Sequence, residues 1–358
     1  MEEFFCRTRI ITGLSEQVLP QLQIRRLLMV TDPYFMEKGT AKRIAHSAGA
    51  QIVEFFDKVA PDPSVELAAR GAAAVKAFQP DTVVALGGGS AIDCAKAMAY
   101  FSGLQPRLVI IPTTSGSGSE VTDFSILTHA GVKHPLVDTA LCPEVAILDT
   151  TLLKELPRSL VADTGFDVLS HAAEAFVATK AGAITDALAT AAFSAALQAL
   201  PGSFAGEEKA RQQMHQASTM AGMAFSQAGL GLCHAMAHAL GGAFHIPHGR
   251  LNAILLPTVV EYNARFAGEK YACLAGQAGW GSSAQTLAVR NLKNGLIRLR
   301  RELGLPQSLA QAGVLPQQVR SQSKALIGAV LEDSCCATNP APVNQTVVAQ
   351  LLEEVTGG

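Results

Sequence analysis

Up to about residue 150 the chain alternates short apolar runs with longer stretches of helical period. The runs are Leu27–Thr31, Gln51–Phe56, Thr82–Leu86, Leu108–Ile111 and Val145–Leu148. They are apolar throughout rather than alternating, as strands covered by helices on both faces should be. The pattern predicts βαβ units and a parallel sheet. From about Pro157 the texture changes to Ala-, Leu- and Met-rich segments with a period near 3.6, and no convincing strand follows. The short polar connection Leu152–Arg158 marks the expected boundary. Two domains are expected, an α/β domain over 1–155 and an all-helical domain over 156–358, with the cleft between them as the default site.

Composition narrows the function classes. Charged residues make up 16% of the 358 and hydrophobic ones 49%, which excludes disorder, collagen and coiled coil. The net charge is −2 with the signs interspersed, so the electrostatic footprint of a nucleic-acid binder is missing. No unbroken apolar run approaches the ~20 residues that span a bilayer, and the N-terminus opens with acids rather than a basic region. A cytoplasmic protein without nucleic-acid or membrane partners is expected. Seven scattered cysteines without CxxC spacing indicate neither a disulfide framework nor a thiolate zinc site, and fit a reducing compartment.

Candidate chemistry begins at Leu86–Lys96, where Gly87, Gly88, Gly89 and Ser90 follow a strand and open a helix. Bare backbone amides meet a helix N-terminus there, a geometry that binds phosphate. Ser90 and Asp93 are expected to cap that helix. A second small-residue segment, Pro112–Glu120, carries Thr113, Thr114 and Ser117 past the next strand. Two such loops at one sheet edge read as a dinucleotide site, although GxGxxG and the Walker loop are both absent. Asp32 ends its strand where a carboxylate accepts from a ribose 2′-hydroxyl and repels a 2′-phosphate, which favours NAD over NADP. Its plain alternative is a turn residue before Pro33.

Four of the nine histidines, His234, His238, His245 and His248, fall within fifteen residues. His234 and His238 are one helical turn apart, and His248 is expected in a Pro-His-Gly turn after that helix ends near Gly241. Upstream, Asp167 and His171 show the same one-turn spacing. A carboxylate with imidazoles suits ferrous iron or zinc, and donor type alone does not choose between them. Cys233 points away from its neighbour His234 and reads as a buried inert thiol.

With these residues in place, the chain resembles the iron-dependent (group III) alcohol dehydrogenases along nearly its whole length. The resemblance rests on Gly87–Lys96, Pro112–Glu120, Gly165–Glu174 and His234–His238 through Pro247–Gly249, in the family's order and spacing. It implies a dehydroquinate synthase-like architecture, NAD as cofactor, and Fe2+ (or Zn2+) held by Asp167, His171, His234 and His248. His238 would stand beside substrate and nicotinamide as a proton relay. Met220–Gly231 and Thr338–Pro340 resemble most the propanol and ethanol dehydrogenases of microcompartments that degrade propanediol or ethanolamine. Asp149-Thr150 and the extra acid Asp163 depart from the family pattern.

The resemblance implies reversible hydride transfer between NAD(H) and a small primary alcohol or aldehyde, recycling NAD beside an aldehyde dehydrogenase. Phe124 and Phe225 are expected to wall the pocket from opposite domains. A homodimer or larger homo-oligomer is expected. The first structured segment, near Thr8 to Gly13, leaves no room for a targeting helix, so encapsulation would depend on a shell protein or partner enzyme. Glycerol dehydrogenases and dehydroquinate synthases share the architecture. A dehydroquinate-type lyase needs cations for an acidic substrate, and only Lys180 and Arg250 stand near the motifs. A metal- and nucleotide-binding scaffold without turnover is the rival from another class.

Overall fold

A computed structural model describes residues 4–129 and 132–357. The chain packs as two compact units, one of Phe5–Leu156 and one that begins at Pro157.

In the first unit the strands are β1 (Arg9–Thr12), β2 (Arg26–Thr31), β3 (Ile52–Phe56), β4 (Thr82–Gly87), β5 (Arg107–Pro112), β6 (Phe124–His129), β7 (Val132–Val137) and β8 (Val145–Leu148). The helices between them are α1 (Ser15–Val18), α2 (Pro33–Glu37), α3 (Thr40–Ser47), α4 (Val65–Phe78) and α5 (Gly89–Ser102). Six strands form one parallel sheet in the order β1-β8-β5-β4-β2-β3. Side chains alternate between its faces. Leu27, Met29, Val84, Leu86, Val109 and Ile111 pack with Ala41 and Ile44 of α3, while Leu28, Val30, Val83, Ala85 and Ile110 pack with Val75 of α4 and Ile92 of α5. Both faces are covered, which is why the runs read as continuously apolar.

Two elements differ from the sequence expectation. The edge strand β1 is short and mostly exposed, so it lacks the apolar signature of the central strands. The antiparallel β6–β7 hairpin, with Pro135 opposite Ile126, forms a separate small sheet whose half-buried pattern is weaker still.

Register decides where the strand ends fall. Thr31 pairs with Leu86, and Gly87 pairs with Pro112, so Asp32, the glycine turn and Thr113 emerge in one row. The chain leaves β2 for β3 on one side and returns to β4 on the other, making a topological switch point where ligands bind open α/β sheets. Beneath this row lies the buried Lys96. Its Nζ donates to the Thr122 carbonyl at 2.8 Å, the Thr122 hydroxyl at 2.9 Å and the Phe124 carbonyl at 2.9 Å. Burial lowers Lys96 to about 8, while the charge of Asp93 opposes the fall.

The second unit is helical: α6 (Arg158–Val177), α7 (Ala183–Ala205), α8 (Glu208–Ala228), α9 (Leu232–Phe244), α10 (His248–Gln277), α11 (Gln285–Glu302), α12 (Pro316–Glu332) and α13 (Gln345–Thr356). By length and composition α7 suffices to cross a bilayer, and Asp186 and Gln198 interrupt the run that a search for unbroken apolar sequence would find. Here it packs against α6 and α8 and buries Ala189, Ala192, Phe193, Ala196 and Leu200.

The contact that positions the site is the crossing of α6 and α10. At Gly249 a Cβ would stand 2.0 Å from the Asp163 carbonyl oxygen and 3.3 Å from the Asp167 Cβ. Backbone meets backbone, so the obstacle cannot rotate away. Arg250 closes the crossing with two bonds to Asp163, Nε to Oδ1 at 3.1 Å and Nη2 to Oδ2 at 2.9 Å. Gly249→Ala is therefore expected to force the helices apart at a cost of about 1–3 kcal/mol or more. The checks are a lower melting temperature and a loss of bound metal in the purified protein, and unchanged values for both would refute the close-packing argument.

Candidate metal centre and nucleotide site

Asp167 and His171 lie one turn apart on α6, within a buried stretch. His234 comes from the first turn of α9. His248 is not in a turn, as the sequence suggested, but is the first residue of α10. Helix α9 runs past Gly241 to Phe244, and His245 in the left-handed region (φ 54°) ends it. Pro247 then stands just before α10, where the missing N–H and fixed φ of proline suit a helix start.

These four side chains each present a donor atom, and all four atoms lie within 4.8 Å of one another. Asp167 Oδ1 is 3.9 Å from His171 Nε2, 3.8 Å from His234 Nε2 and 3.5 Å from His248 Nε2. Burial would raise the Asp167 carboxyl, but the histidines around it hold it well below the ordinary carboxylate range. Burial lowers His248 well below its usual value, with the carboxylate of Asp167 opposing and the other imidazoles reinforcing the shift. His234 is also pushed down by burial, yet Asp167 and Glu174 outweigh it and raise the group to about 9. One carboxylate and three imidazoles fit ferrous iron or zinc, and calcium would require more oxygen donors.

The surroundings orient these donors. Glu174, one helical turn past His171, receives His234 Nδ1 on Oε2 at 2.6 Å, which turns His234 Nε2 toward the cluster. The same carboxylate accepts the backbone N–H of Cys233 at 2.7 Å and of His234 at 3.3 Å, capping the start of α9. Asn252, one turn after His248, donates from Nδ2 to Asp167 Oδ1 at 2.8 Å. Phe225 is buried and its ring stacks on His171 with centroids 4.3 Å apart.

His238 is one turn beyond His234 and belongs to a different set. Its Nδ1 lies 2.8 Å from Asp333 Oδ2, and its ring stacks on that of His248 at 5.1 Å. Asp333 is 95 residues away in sequence, with no local spacing to betray it. Glu174 and Asn252 did carry a signal, since they continue the helical faces that bear Asp167 and His248. Arg250 is committed to Asp163, and Lys180 lies exposed in the turn after α6.

In the first unit the expected nucleotide residues come together at the switch point. A Cβ at Gly88 would meet Thr114 Oγ1 at 3.2 Å, and one at Gly89 would meet Ser117 Cβ at 3.2 Å. Gly87 has φ +155°, and its Cβ would stand 2.6 Å from Ala91 and 3.9 Å from Asp32 Oδ2. Thr113 N donates to the Gly87 carbonyl at 3.0 Å. Asp32 caps α2 by accepting from Phe35 N at 3.1 Å, which is the turn role that the sequence offered as its plain alternative.

The capping role expected of Ser90 and Asp93 is corrected. Gly88 is the N-cap of α5 without a side-chain bond, which leaves the first-turn amides for a ligand. Ser90 is inside the helix. Asp93 is buried, and burial raises it to about 6 against the pull of Lys96. Phe124 sits at the start of β6 and gives its carbonyl to Lys96. All seven cysteines are free thiols.

Known proteins are similar to this chain in sequence and fold. A family model described as iron-containing alcohol dehydrogenase matches residues 8–150, and the C-terminal model of the Fe-containing alcohol dehydrogenase family matches 161–356. The chain is 39% identical to the 1-propanol dehydrogenase PduQ of Citrobacter freundii, covering 99% of this chain and 100% of that protein. It is 37% identical to an NADPH-dependent butanol dehydrogenase of Clostridium saccharobutylicum, covering 86% of this chain and 84% of that one. Among solved structures, a 1,3-propanediol oxidoreductase superposes with a TM-score of 0.94 at 32% identity, over 99% of this chain and 100% of that one. The sulfoacetaldehyde reductase of Bifidobacterium kashiwanohense, solved in complex with NAD+, superposes with a TM-score of 0.89 at 25% identity, over 100% of this chain and 99% of that one. A parallel-sheet unit followed by a helical unit is the dehydroquinate synthase-like architecture of these neighbours. On sequence and fold together, the chain belongs to the iron-containing alcohol dehydrogenase family.

Proposed function

We propose that this chain interconverts small primary alcohols and their aldehydes, with NAD(H) as hydride carrier and ferrous iron at Asp167, His171, His234 and His248. The observation that carries the reading is the convergence of one carboxylate and three imidazoles in a protein of this family. The donor set fits the ion, and iron there supplies Lewis acidity toward the oxygen of the substrate.

The residues of the chain do the rest. Glu174 fixes the tautomer and direction of His234, and Asn252 donates to the Asp167 oxygen nearest the imidazoles. The first-turn amides of α5, with Thr114 and Ser117 beside the glycines, receive the pyrophosphate, and Asp32 takes the ribose. Asp333 holds Nδ1 of His238, leaving Nε2 to accept the alcohol proton and pass it to solvent during oxidation, and to return it during aldehyde reduction. Phe225, stacked on His171, limits substrate size. Asp163 engages the Arg250 guanidinium and so withholds it from an anionic substrate, which favours uncharged aldehydes over a dehydroquinate-type reaction. On the resemblance to microcompartment dehydrogenases, we extend the proposal to recycling of NAD beside an aldehyde dehydrogenase, in the cytosol or within a protein shell, by a homo-oligomer.

Four substitutions test this reading. His248→Ala is expected to abolish aldehyde reduction and strip iron, whereas His238→Ala keeps its iron and loses about 10²–10⁴-fold in rate. Iron analysis beside NADH oxidation with propionaldehyde separates the two, and equal iron loss in both would defeat the division of roles.

Asp32→Gly is expected to relax the preference for NADH over NADPH by about tenfold or more, the effect of a 1.4 kcal/mol repulsion. Wild-type kcat/KM values that are equal for both coenzymes would contradict the role of Asp32, and the NADPH-dependent relative makes this comparison decisive.

Phe225→Leu is expected to admit longer or branched aldehydes and weaken the shortest, by roughly 1–3 kcal/mol for the missing part of the ring. Specificity constants across a two- to six-carbon aldehyde series measure it, and an unchanged profile would assign Phe225 to packing alone.

A further inference from the structure

A second group of donors converges on His238. His238, Asp333 and Cys335 each present a ligating atom within 4.8 Å of the others, and all three are partly buried. Their placement follows from one turn. After α12 ends, Asp333 caps the 3-10 turn Ser334–Thr338 by accepting from Cys335 N on Oδ1 at 2.8 Å. Its Oδ2 takes His238 Nδ1 at 2.8 Å, so one carboxylate holds both the imidazole and the backbone that carries the thiol. The neighbouring Cys336 is turned away, its thiol donating to the Val330 carbonyl at 3.0 Å. Burial, aided by the Asp333 charge, pushes the Cys335 thiol well up, so a proton remains on sulfur at neutral pH.

Nitrogen, oxygen and sulfur donors together select a borderline or soft divalent ion over magnesium or calcium. Zinc binds such atoms at about 2.0–2.3 Å in a tetrahedron, whose ligands stand about 3.3–3.6 Å apart, so the His238–Asp333 contact at 2.8 Å opens by about 0.5 Å while the thiol closes by about 1.5 Å at most. We propose that His238, Asp333 and Cys335 form a second cation site, distinct from the iron ligands, for zinc or cadmium. The consequence for turnover rests on the relay role of His238 proposed above, whereas the site itself does not.

Charge and protons balance. A divalent ion binds His238 Nδ1, the Asp333 carboxylate and the Cys335 sulfur, neutralising carboxylate and thiolate, and the thiol proton goes to solvent. The imidazole proton moves from Nδ1 to Nε2 through solvent. Nε2 then carries hydrogen and no longer accepts one from the alcohol, so an occupied site inhibits without touching the iron.

The test titrates iron-loaded enzyme with Cd2+ in chelator-free anaerobic buffer, reading thiolate-to-cadmium charge-transfer absorption, retained iron and NADH oxidation. Wild type and Cys336→Ser are expected to take up cadmium with that absorption, keep their iron and slow by about tenfold or more, as loss of a general acid–base group implies. Cys335→Ser is expected to keep iron and activity and lose both the absorption and the inhibition. Absorption that persists in Cys335→Ser, or release of one iron per cadmium bound, would overturn the site. Absorption in wild type without slowing would leave the site standing and overturn the relay role of His238 instead.

Discussion

The helical unit depends on one close approach, where Gly249 of α10 meets the Asp163 carbonyl of α6 with no room for a side chain. Asp167 lies one turn after Asp163, and His248 immediately precedes Gly249. Bringing the two backbones together therefore brings a carboxylate and an imidazole together, before any ion contributes. Two side-chain contacts lock the approach: Arg250 on Asp163 at one side, and Asn252 on Asp167 within the donor cluster. The acid that departs from the family pattern thus has a structural task. It neutralises Arg250 and ties together the two helices that carry donors.

Carboxylate partners divide the labour between two histidines on one helix. His234 and His238 are a turn apart and chemically identical, yet Glu174 holds Nδ1 of the first and Asp333 Nδ1 of the second. Each pairing engages Nδ1 and turns Nε2 away from the carboxylate. The Nε2 of His234 faces Asp167 and the cluster, while His238 lies outside the four-donor group and stacks on His248. An acidic partner on Nδ1 keeps an imidazole in a defined tautomer and orientation.

In the sheet unit, hydrogen-bond register does the corresponding work. Because Thr31 pairs with Leu86 and Gly87 with Pro112, Asp32, the three glycines and the Thr113–Ser117 segment share one edge. The glycines are required by what lies against them: a Cβ at Gly87 meets Ala91, and one at Gly88 or Gly89 meets Thr114 or Ser117. Lys96 holds the far side of this arrangement by satisfying two carbonyls and a hydroxyl at Thr122 and Phe124. A buried ammonium is costly, and its three acceptors with Asp93 nearby offset that cost.

The local sequence determined whatever depends on period and spacing. Continuous apolar runs announced the buried parallel strands, one-turn spacing announced Asp167 with His171 and His234 with His238, and the glycine run announced a strand-to-helix turn. Short or half-exposed elements were not legible, because β1 and the β6–β7 hairpin bury too little to imprint a pattern. Neither was the place of His248, since a Pro-His-Gly triplet reads as a turn until Pro247 is seen to stand as the N-cap of α10. The capping role assigned to Ser90 and Asp93 failed because the glycine before them already ends the extended backbone. Only the tertiary structure decided which side chains orient the histidines and what each charge is committed to. Asp333 reaches His238 across 95 residues, Arg250 reaches Asp163 across 87, and Cys335 joins a histidine and an acid without any CxxC spacing. Such contacts are set by how helices cross, and a crossing leaves no period in the sequence of either helix.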